Sequence, residues 1–363
     1  MSVNSAKTSL RLPGPLSGFQ FSPQFMGVLV LALVIGIVPH FVREYWIFLS
    51  TAGFLTAITV MGLAVIIGWA GQVTLAGAAL LGTSVYMTGY LLREGLGGSG
   101  PWPFIPAMIG GVACATVLSA LVAIPTARFS GIYVMVLTMG LQVTMERTLF
   151  TYTWVTGGAG ADVRVPRPKV FGFHFNTDTR YFYLAFVVMV ASGLLLHALR
   201  RSRHGRAIHL VRTDRQAAAA VGISPWRYRV IAFAIGGFLI GIAGAFTAPL
   251  YESPPALTQY ILFQSLFLLA IPVVAGTQTI VGLASVSVAF QILPAALQSH
   301  RLSVYLLGGA GLIGGTLLGP RGMAGTLLDM LQQKRDVARL REAAGIEEEF
   351  EVPPESAEVE GSA

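Results

Sequence analysis

Charged residues are scarce in this sequence of 363 residues: Asp, Glu, Lys and Arg together make up 11%, against about 25% in an ordinary soluble domain. A water-soluble fold of this size is not expected. Cys114 is the single cysteine, which excludes a disulfide scaffold. The three lysines, Lys7, Lys169 and Lys334, follow Ala, Pro and Gln. The Gly-Lys-Ser/Thr ending of a phosphate-binding loop is therefore absent, and the chain cannot hydrolyse ATP by that route. The six histidines (His40, His174, His197, His204, His209 and His300) lack the i, i+4 pairing and the neighbouring carboxylates of a metal site. No metal, cofactor or enzymatic constellation is expected. The 42 glycines follow no triplet period, which excludes collagen, and the apolar content is too high for a disordered chain.

What the sequence has in abundance is apolar length. The apolar set makes up 54%, about 196 residues, and at roughly 20 residues per membrane helix this supplies about ten spans. A charge at the centre of a membrane helix costs roughly 2.5–3.5 kcal/mol, so stretches free of Asp, Glu, Lys and Arg mark the spans. These are 12–42, 45–92, 95–127, 129–145, 181–199, 230–251, 253–300 and 302–320. Two of them, 45–92 and 253–300, hold 48 residues each and must contain two spans apiece. The breaks are expected at Gly68-Trp69-Ala70-Gly71-Gln72 and at Ala275-Gly276-Thr277-Gln278. The 17-residue run 129–145 predicts a helix that is short or continues to about Phe150. The expected fold is an all-α polytopic membrane protein of about ten transmembrane helices, its transmembrane domain covering 25–322.

Orientation follows from the basic residues. Eight arginines (Arg200, Arg201, Arg203, Arg206, Arg212, Arg215, Arg227 and Arg229) and one acid, Asp214, lie between positions 200 and 229. Short basic loops stay in the cytoplasm, so 200–229 is expected there, after the sixth span. Parity then places both termini inside, with Lys7 and Arg11 at one end and Arg321, Lys334, Arg335, Arg339 and Arg341 at the other. Residues 1–24 become a cytoplasmic N-terminal segment and 151–180 an extracytoplasmic loop. The stretch from Phe25 to Pro39 follows a long polar start without a small-residue cleavage pattern, so it reads as the first span rather than a signal peptide. Eight of the 17 acids fall in the last 22 residues, and the cytoplasmic tail 323–363 is expected to be disordered at its acidic end. The rest of the chain carries 24 basic and nine acidic groups, a net +15. In so apolar a chain that excess reads as a preference for the inner membrane face; nucleic acid is not an expected partner.

Three local patterns stand out. Asp214 can cap a helix over Arg215-Gln216-Ala217-Ala218-Ala219-Ala220-Val221, with Gly222 as its left-handed stop. Seven residues are too few to hold a helix alone in water, so it must pack on something. Gly237-x-x-x-Gly241 and Gly311-x-x-x-Gly315-x-x-x-Gly319 set small residues on one helical face, where backbones approach closely. Glu146 is the one acid in a candidate span; beside Arg147 it reads as an interfacial anchor, with a gating or substrate contact as the alternative.

Several segments, in consistent order over about 46–325, resemble the LivM-type permeases of ATP-binding-cassette importers for branched-chain amino acids. The first is Gly62-Leu63-Ala64 through Gly68-Trp69-Ala70-Gly71-Gln72-Val73-Thr74-Leu75, with Gly77-Ala78-Ala79 and Gly82. Arg128-Phe129-Ser130-Gly131-Ile132-Tyr133 with Leu137-Thr138 follows, then Thr156-Gly157-Gly158 through Val165-Pro166-Arg167-Pro168. The longest begins at Ser202-Arg203-His204-Gly205-Arg206-Ala207 and includes Arg212, Asp214, Ala217-Ala218, Gly222-Ile223, Tyr228, Ala232-Phe233 and Gly241-Ile242-Ala243-Gly244-Ala245. Pro320-Arg321-Gly322-Met323-Ala324-Gly325 resembles the family's closing motif. The chain departs from the family at Arg215 and Ala219, where an acid is usual, and over Val274–Gly282, where a glycine-rich turn is usual.

The resemblance implies a type II importer-like permease bundle in a bacterial inner membrane, forming half of a pathway for branched-chain or other small amino acids. It implies as partners a second, LivH-type permease, two cytoplasmic ATPase subunits that supply the hydrolysis, and an extracytoplasmic solute-binding protein. Residues about Arg206 to Gly222 would be the element that couples to the ATPase, with Arg206, Arg212, Asp214, Arg215, Ala217, Ala218 and Gly222 as its contacts and the alanines as a surface for close approach. Gln72, Thr74, Thr138 and Gln142 are candidates for the substrate pathway, or else residues that hydrogen-bond between helices. Arg164, Arg167 and Arg180 are candidates for contact with the binding protein. A urea or short-amide permease is the alternative within the family; an autonomous channel or ion-coupled carrier is the alternative outside it.

Overall fold

The computed structural model describes residues 43–129, 131–152, 165–170, 173–175, 177–251, 260–277 and 279–297. The expected first span, the final span at 302–320, the glycine repeat at 311–319, the motif at 320–325, both terminal segments and Arg164 lie outside the described residues. Within them the regular elements are helices apart from a two-residue antiparallel pairing of β1 (Lys169–Val170) with β2 (Phe173–His174). Eight apolar helical segments stand where the second to ninth spans are expected: α1 (Glu44–Ala64), α2 (Gly77–Arg93), α3 (Phe104–Thr126), α4 (Ile132–Arg147), α5 (Asp178–Arg201), α8 (Pro225–Leu250), α9 (Leu262–Ala275) and α10 (Ile280–Leu297). Between α5 and α8 lie two shorter helices, α6 (Arg203–Thr213) and α7 (Arg215–Ala220). Among the described residues, four helical stretches are long and apolar enough to cross a membrane: Glu44–Trp69, Phe104–Thr126, Asp178–Arg201 and Pro225–Leu250.

α1 is apolar on every side, which in a helix of that length means a position at the centre of a bundle. From Thr51 onward almost all of it is buried, and α5, α8 and α10 pack around it. α3 and α5, by contrast, bury one stripe each and expose Ile109, Val117, Leu121, Val187 and Leu194, a surface suited to lipid tails. The polar residues inside the bundle are mostly Thr and Ser whose hydroxyls donate to the carbonyl four residues back, as at Thr51, Thr59, Thr83 and Ser287. Such bonds hide a hydroxyl at little cost to the helix.

α1 and α8 meet backbone to backbone. A Cβ at Gly62 would lie 2.6 Å from the Gly236 carbonyl oxygen. The expected Gly237/Gly241 face packs on α3, where a Cβ at Gly241 would come within 3.0 Å of Val112 Cα. α4 is the short helix the 17-residue run implies and ends in a turn before Phe150, whose N–H donates to the Met145 carbonyl at 3.1 Å.

Candidate functional site

Two neighbouring features carry the candidate residues: the α6–α7 pair and the break between α1 and α2. Ser202 starts α6 by accepting the Gly205 N–H on its hydroxyl at 3.2 Å. Asp214 Oδ1 starts α7, accepting from Gln216 N–H at 2.8 Å and Ala217 N–H at 3.1 Å. Gly222, at φ +78°, ends it, and the following N–H of Ile223 returns to the Ala218 carbonyl at 2.9 Å. That 6→1 bond and left-handed glycine are the stop that the residue types dictate. α6 is amphipathic: Gly205, Ala207, Ile208 and Val211 are buried against the bundle while Arg203 and Arg206 stay exposed.

The pair also redistributes the expected ATPase contacts. Ala218 is fully buried and presents nothing outward. Ala217, Ala219, Ala220 and Val221, with Arg215 and Gln216, form the exposed face. Arg206 folds back to donate to the Arg201 carbonyl at 2.6 Å. Arg212 turns toward the bundle and donates through Nη1 to the Gly68 carbonyl. Beside it the His209 ring lies 5.6 Å from the Trp69 ring, and burial, reinforced by the Arg200 and Arg212 charges, holds its pKa below the ordinary histidine value.

The break occurs where the sequence places it. α1 widens into a π turn over Val65–Trp69, closed by Ala70 N–H on the Val65 carbonyl at 3.1 Å. Gly71 then takes φ +66° and the chain runs without helix to Gly77, where α2 begins. In lipid each freed backbone group needs an internal partner. The four pathway candidates supply several. Thr74 Oγ1 accepts from Ala76 N–H at 3.2 Å, Thr138 Oγ1 from Leu75 N–H at 3.0 Å, and Gln142 Oε1 from Ala79 N–H at 2.7 Å. Gln72 reaches the end of α3, its Nε2 lying 3.5 Å from the Thr126 carbonyl, while its Oε1 has no partner among the described residues. All four are buried. The structure therefore makes Thr74, Thr138 and Gln142 acceptors of backbone N–H groups around the amino end of α2, Thr138 and Gln142 from another helix, while Gln72 turns to the end of α3.

Sequence reasoning missed the residues that complete this arrangement. Ser265, on α9, accepts the Ala78 N–H at 2.9 Å and donates to Gln142 Oε1 at 2.8 Å; Gln142 Nε2 donates to the Tyr260 carbonyl at 2.8 Å. A hydroxyl inside the apolar run of α9 was the available signal. Arg229, only 4% exposed, donates to the Ala127 and Phe129 carbonyls at 3.0 and 3.2 Å, a cation at the carboxyl end of α3. Glu146, which the sequence did single out as an interfacial anchor or a gating or substrate contact, accepts the Leu262 N–H on Oε2 at 3.2 Å and so caps α9. Of the binding-protein candidates, Arg167 is held in an ion pair with Asp178 at 2.6 Å and Arg180 is exposed. Among the described residues no group of three or more His, Cys, Asp or Glu converges on one point.

An interrupted span whose freed amides are met by neutral side chains, beside a basic helical pair, is the arrangement of a polytopic membrane bundle with a broken helix. The chain belongs to the family described as branched-chain amino acid transport system, permease component, which matches residues 45–319. It is similar to the high-affinity branched-chain amino acid transport system permease protein LivM of Salmonella typhimurium, with 28% identity over 276 residues, covering 69% of this chain and 62% of the relative. The LivM protein of Escherichia coli is 27% identical over 274 residues, covering 68% and 63%. The matched region thus spans less than two thirds of these relatives' length. No solved structure matches the chain.

Proposed function

We propose that this chain is a permease subunit of an ATP-binding-cassette importer, forming half of a translocation pathway for branched-chain or other small amino acids. The observation that carries the reading is the α6–α7 pair. It is a helical element held out between two apolar helices, capped at Asp214, stopped at Gly222 and exposing one face of Arg215, Gln216, Ala217, Ala219, Ala220 and Val221. A free-standing channel or ion-coupled carrier has no need of such an element; a permease without its own nucleotide site must present one to a motor. In this reading 200–229 and both termini are cytoplasmic, 151–180 faces outward, and the membrane is a bacterial inner membrane. A second, LivH-type permease completes the pathway, and a solute-binding protein delivers substrate to the outer face. Gln72, Thr74, Thr138 and Gln142 support this reading as the residues that hold the interrupted backbone, and a bundle with few full charges suits a zwitterionic substrate.

Copurification tests the reading. A tagged chain expressed with its neighbours should recover ATPase subunits and a second permease, and uptake in proteoliposomes should require ATP. A chain that conducts or transports alone would replace the proposal with a channel or carrier.

A further inference from the structure

The α6 helix meets the bundle at the point where α1 stops being helical. Widening into the π turn redirects the last bonds of α1: Ala70 N–H goes to the Val65 carbonyl and Gln72 N–H to the Ile66 carbonyl. The Gly68 carbonyl is among the last of a helix, a group that seeks a donor from outside it, and Arg212 provides the donor. The grip has a second point, the His209 ring against Trp69. Gly71, at φ +66°, completes the fit: a Cβ there would lie 3.1 Å from Arg212 Cγ, so the stem of Arg212 runs close across the glycine.

Gly68 also touches the other break in the bundle. A Cβ at Gly68 would lie 2.5 Å from Thr277 Cβ, in the turn between α9 and α10. From Gly68 the chain passes in four to eight residues to Gln72, Thr74, Leu75 and Ala76, where the Leu75 N–H donates to Thr138, and then to Ala78 and Ala79, whose N–H groups donate to Ser265 and Gln142 and set the amino end of α2. One residue, Gly68, thus joins the α6 helix through its carbonyl to the first interrupted region and meets the second at its Cα. The connection is short and made of hydrogen bonds and close-packed backbone, the kind of contact that has discrete arrangements rather than a continuum.

We propose that Arg212 is a positioning residue that ties α6 to the interrupted span through the Gly68 carbonyl, so that displacement of the α6–α7 pair moves the segment 70–76 at the amino end of α2. The proposal rests on the reading of α6–α7 as the element that meets a motor. It assigns Arg212 inward, to transmission, and leaves docking to the exposed face of α7. A cation–carbonyl bond serves this role better than apolar contact, since a guanidinium presents several donors in a fixed plane and can hold one acceptor while its stem slides over Gly71.

The test uses the full chain in lipid nanodiscs, alone and assembled with its ATPase subunits. Hydrogen exchange of the chain alone is followed over peptides covering 65–76 in wild type, Arg212→Gln and Arg212→Lys. Exchange in 70–76 is expected to rise at least tenfold in Arg212→Gln, with α8 unchanged, and to return at least halfway in Arg212→Lys, which keeps a charged donor. In the assembled complex Arg212→Gln is expected to retain captured ATPase subunits and to lower uptake per ATP hydrolysed at least tenfold. Unchanged exchange in 70–76 would overturn the tie itself. Raised exchange with a wild-type ratio of uptake to hydrolysis would overturn its role in transmission. Failure of the wild-type chain to capture any ATPase would instead overturn the importer reading and, with it, transmission, while the exchange measurement still decides whether the tie exists.

Discussion

The Gln142 carboxamide oxygen, on α4, receives both the Ser265 hydroxyl of α9 at 2.8 Å and the Ala79 N–H of α2 at 2.7 Å. One side chain therefore holds three helices at the level where α2 begins. Its amide nitrogen is used as well, on the Tyr260 carbonyl. A fully satisfied buried polar group of this kind is costly to remove, because each partner left unmatched loses about 1–3 kcal/mol.

Gln142→Leu should accordingly lower the thermal midpoint of the detergent-solubilised protein well below that of Ser265→Ala, which frees only the Ala78 N–H and one Gln142 acceptor site. Thermal unfolding followed by loss of the monodisperse peak checks the order. Equal midpoints for the two variants would show that Gln142 is not the hub.

Backbone contact between α1 and α8 gives a second prediction. Gly62→Ala and Gly236→Ala each push a methyl into backbone or Ile66, at 2.6 Å from the nearest atom, and should destabilise by about 1–3 kcal/mol through overpacking. Gly140, on α4, has nothing within 4 Å of a Cβ. Gly140→Ala should be neutral or stabilise by about 0.5–1 kcal/mol, since alanine is the better helix former. Denaturant titration of the three variants separates these outcomes.

The α7 helix gives a third. Asp214→Ala removes the acceptor of two N–H groups and should cost about 0.5–2 kcal/mol locally. Gly222→Val meets no neighbour, so its cost is the left-handed backbone alone, about 1–2 kcal/mol. Both should reduce capture of ATPase subunits while membrane levels stay normal. Ala218→Trp is a different case: the side chain is buried, so it should displace α7 from α6 and α8 and lower the amount of folded protein. Measuring capture and membrane level together distinguishes the two classes.

The fourth concerns pH. Burial, together with the Arg200 and Arg212 charges, holds the His209 pKa below the ordinary histidine value. A base with a depressed folded pKa binds protons more readily when its surroundings open, so its contribution falls as pH drops from the ordinary value near 6.5 toward the folded one. Exchange protection of α6 should therefore weaken between about pH 7 and pH 5 in wild type. It should lose that pH dependence in His209→Gln. A wild-type α6 equally protected across the range would remove His209 from the contact with Trp69.

Much of this protein was set by local chemistry. The places of eight helices followed from charge-free runs, because a bilayer tolerates neither charge nor unpaired backbone at its centre. Asp214 and Gly222 fixed the ends of α7, since capping and left-handed stops are decided within four residues. The breaks at Gly68–Gln72 and Ala275–Gln278 were legible for the same reason. What the sequence could not decide is which groups meet across the bundle. Arg212, in an arginine-rich loop, has the composition of a surface residue, yet its donor ends on a carbonyl 144 residues away. Ala218 and Ala217 are adjacent and identical, and only packing against neighbouring helices buries one and exposes the other. Thr138, Gln142 and Ser265 became partners of α2 because a backbone freed by the break must find acceptors and donors in whatever helices the tertiary structure brings beside it.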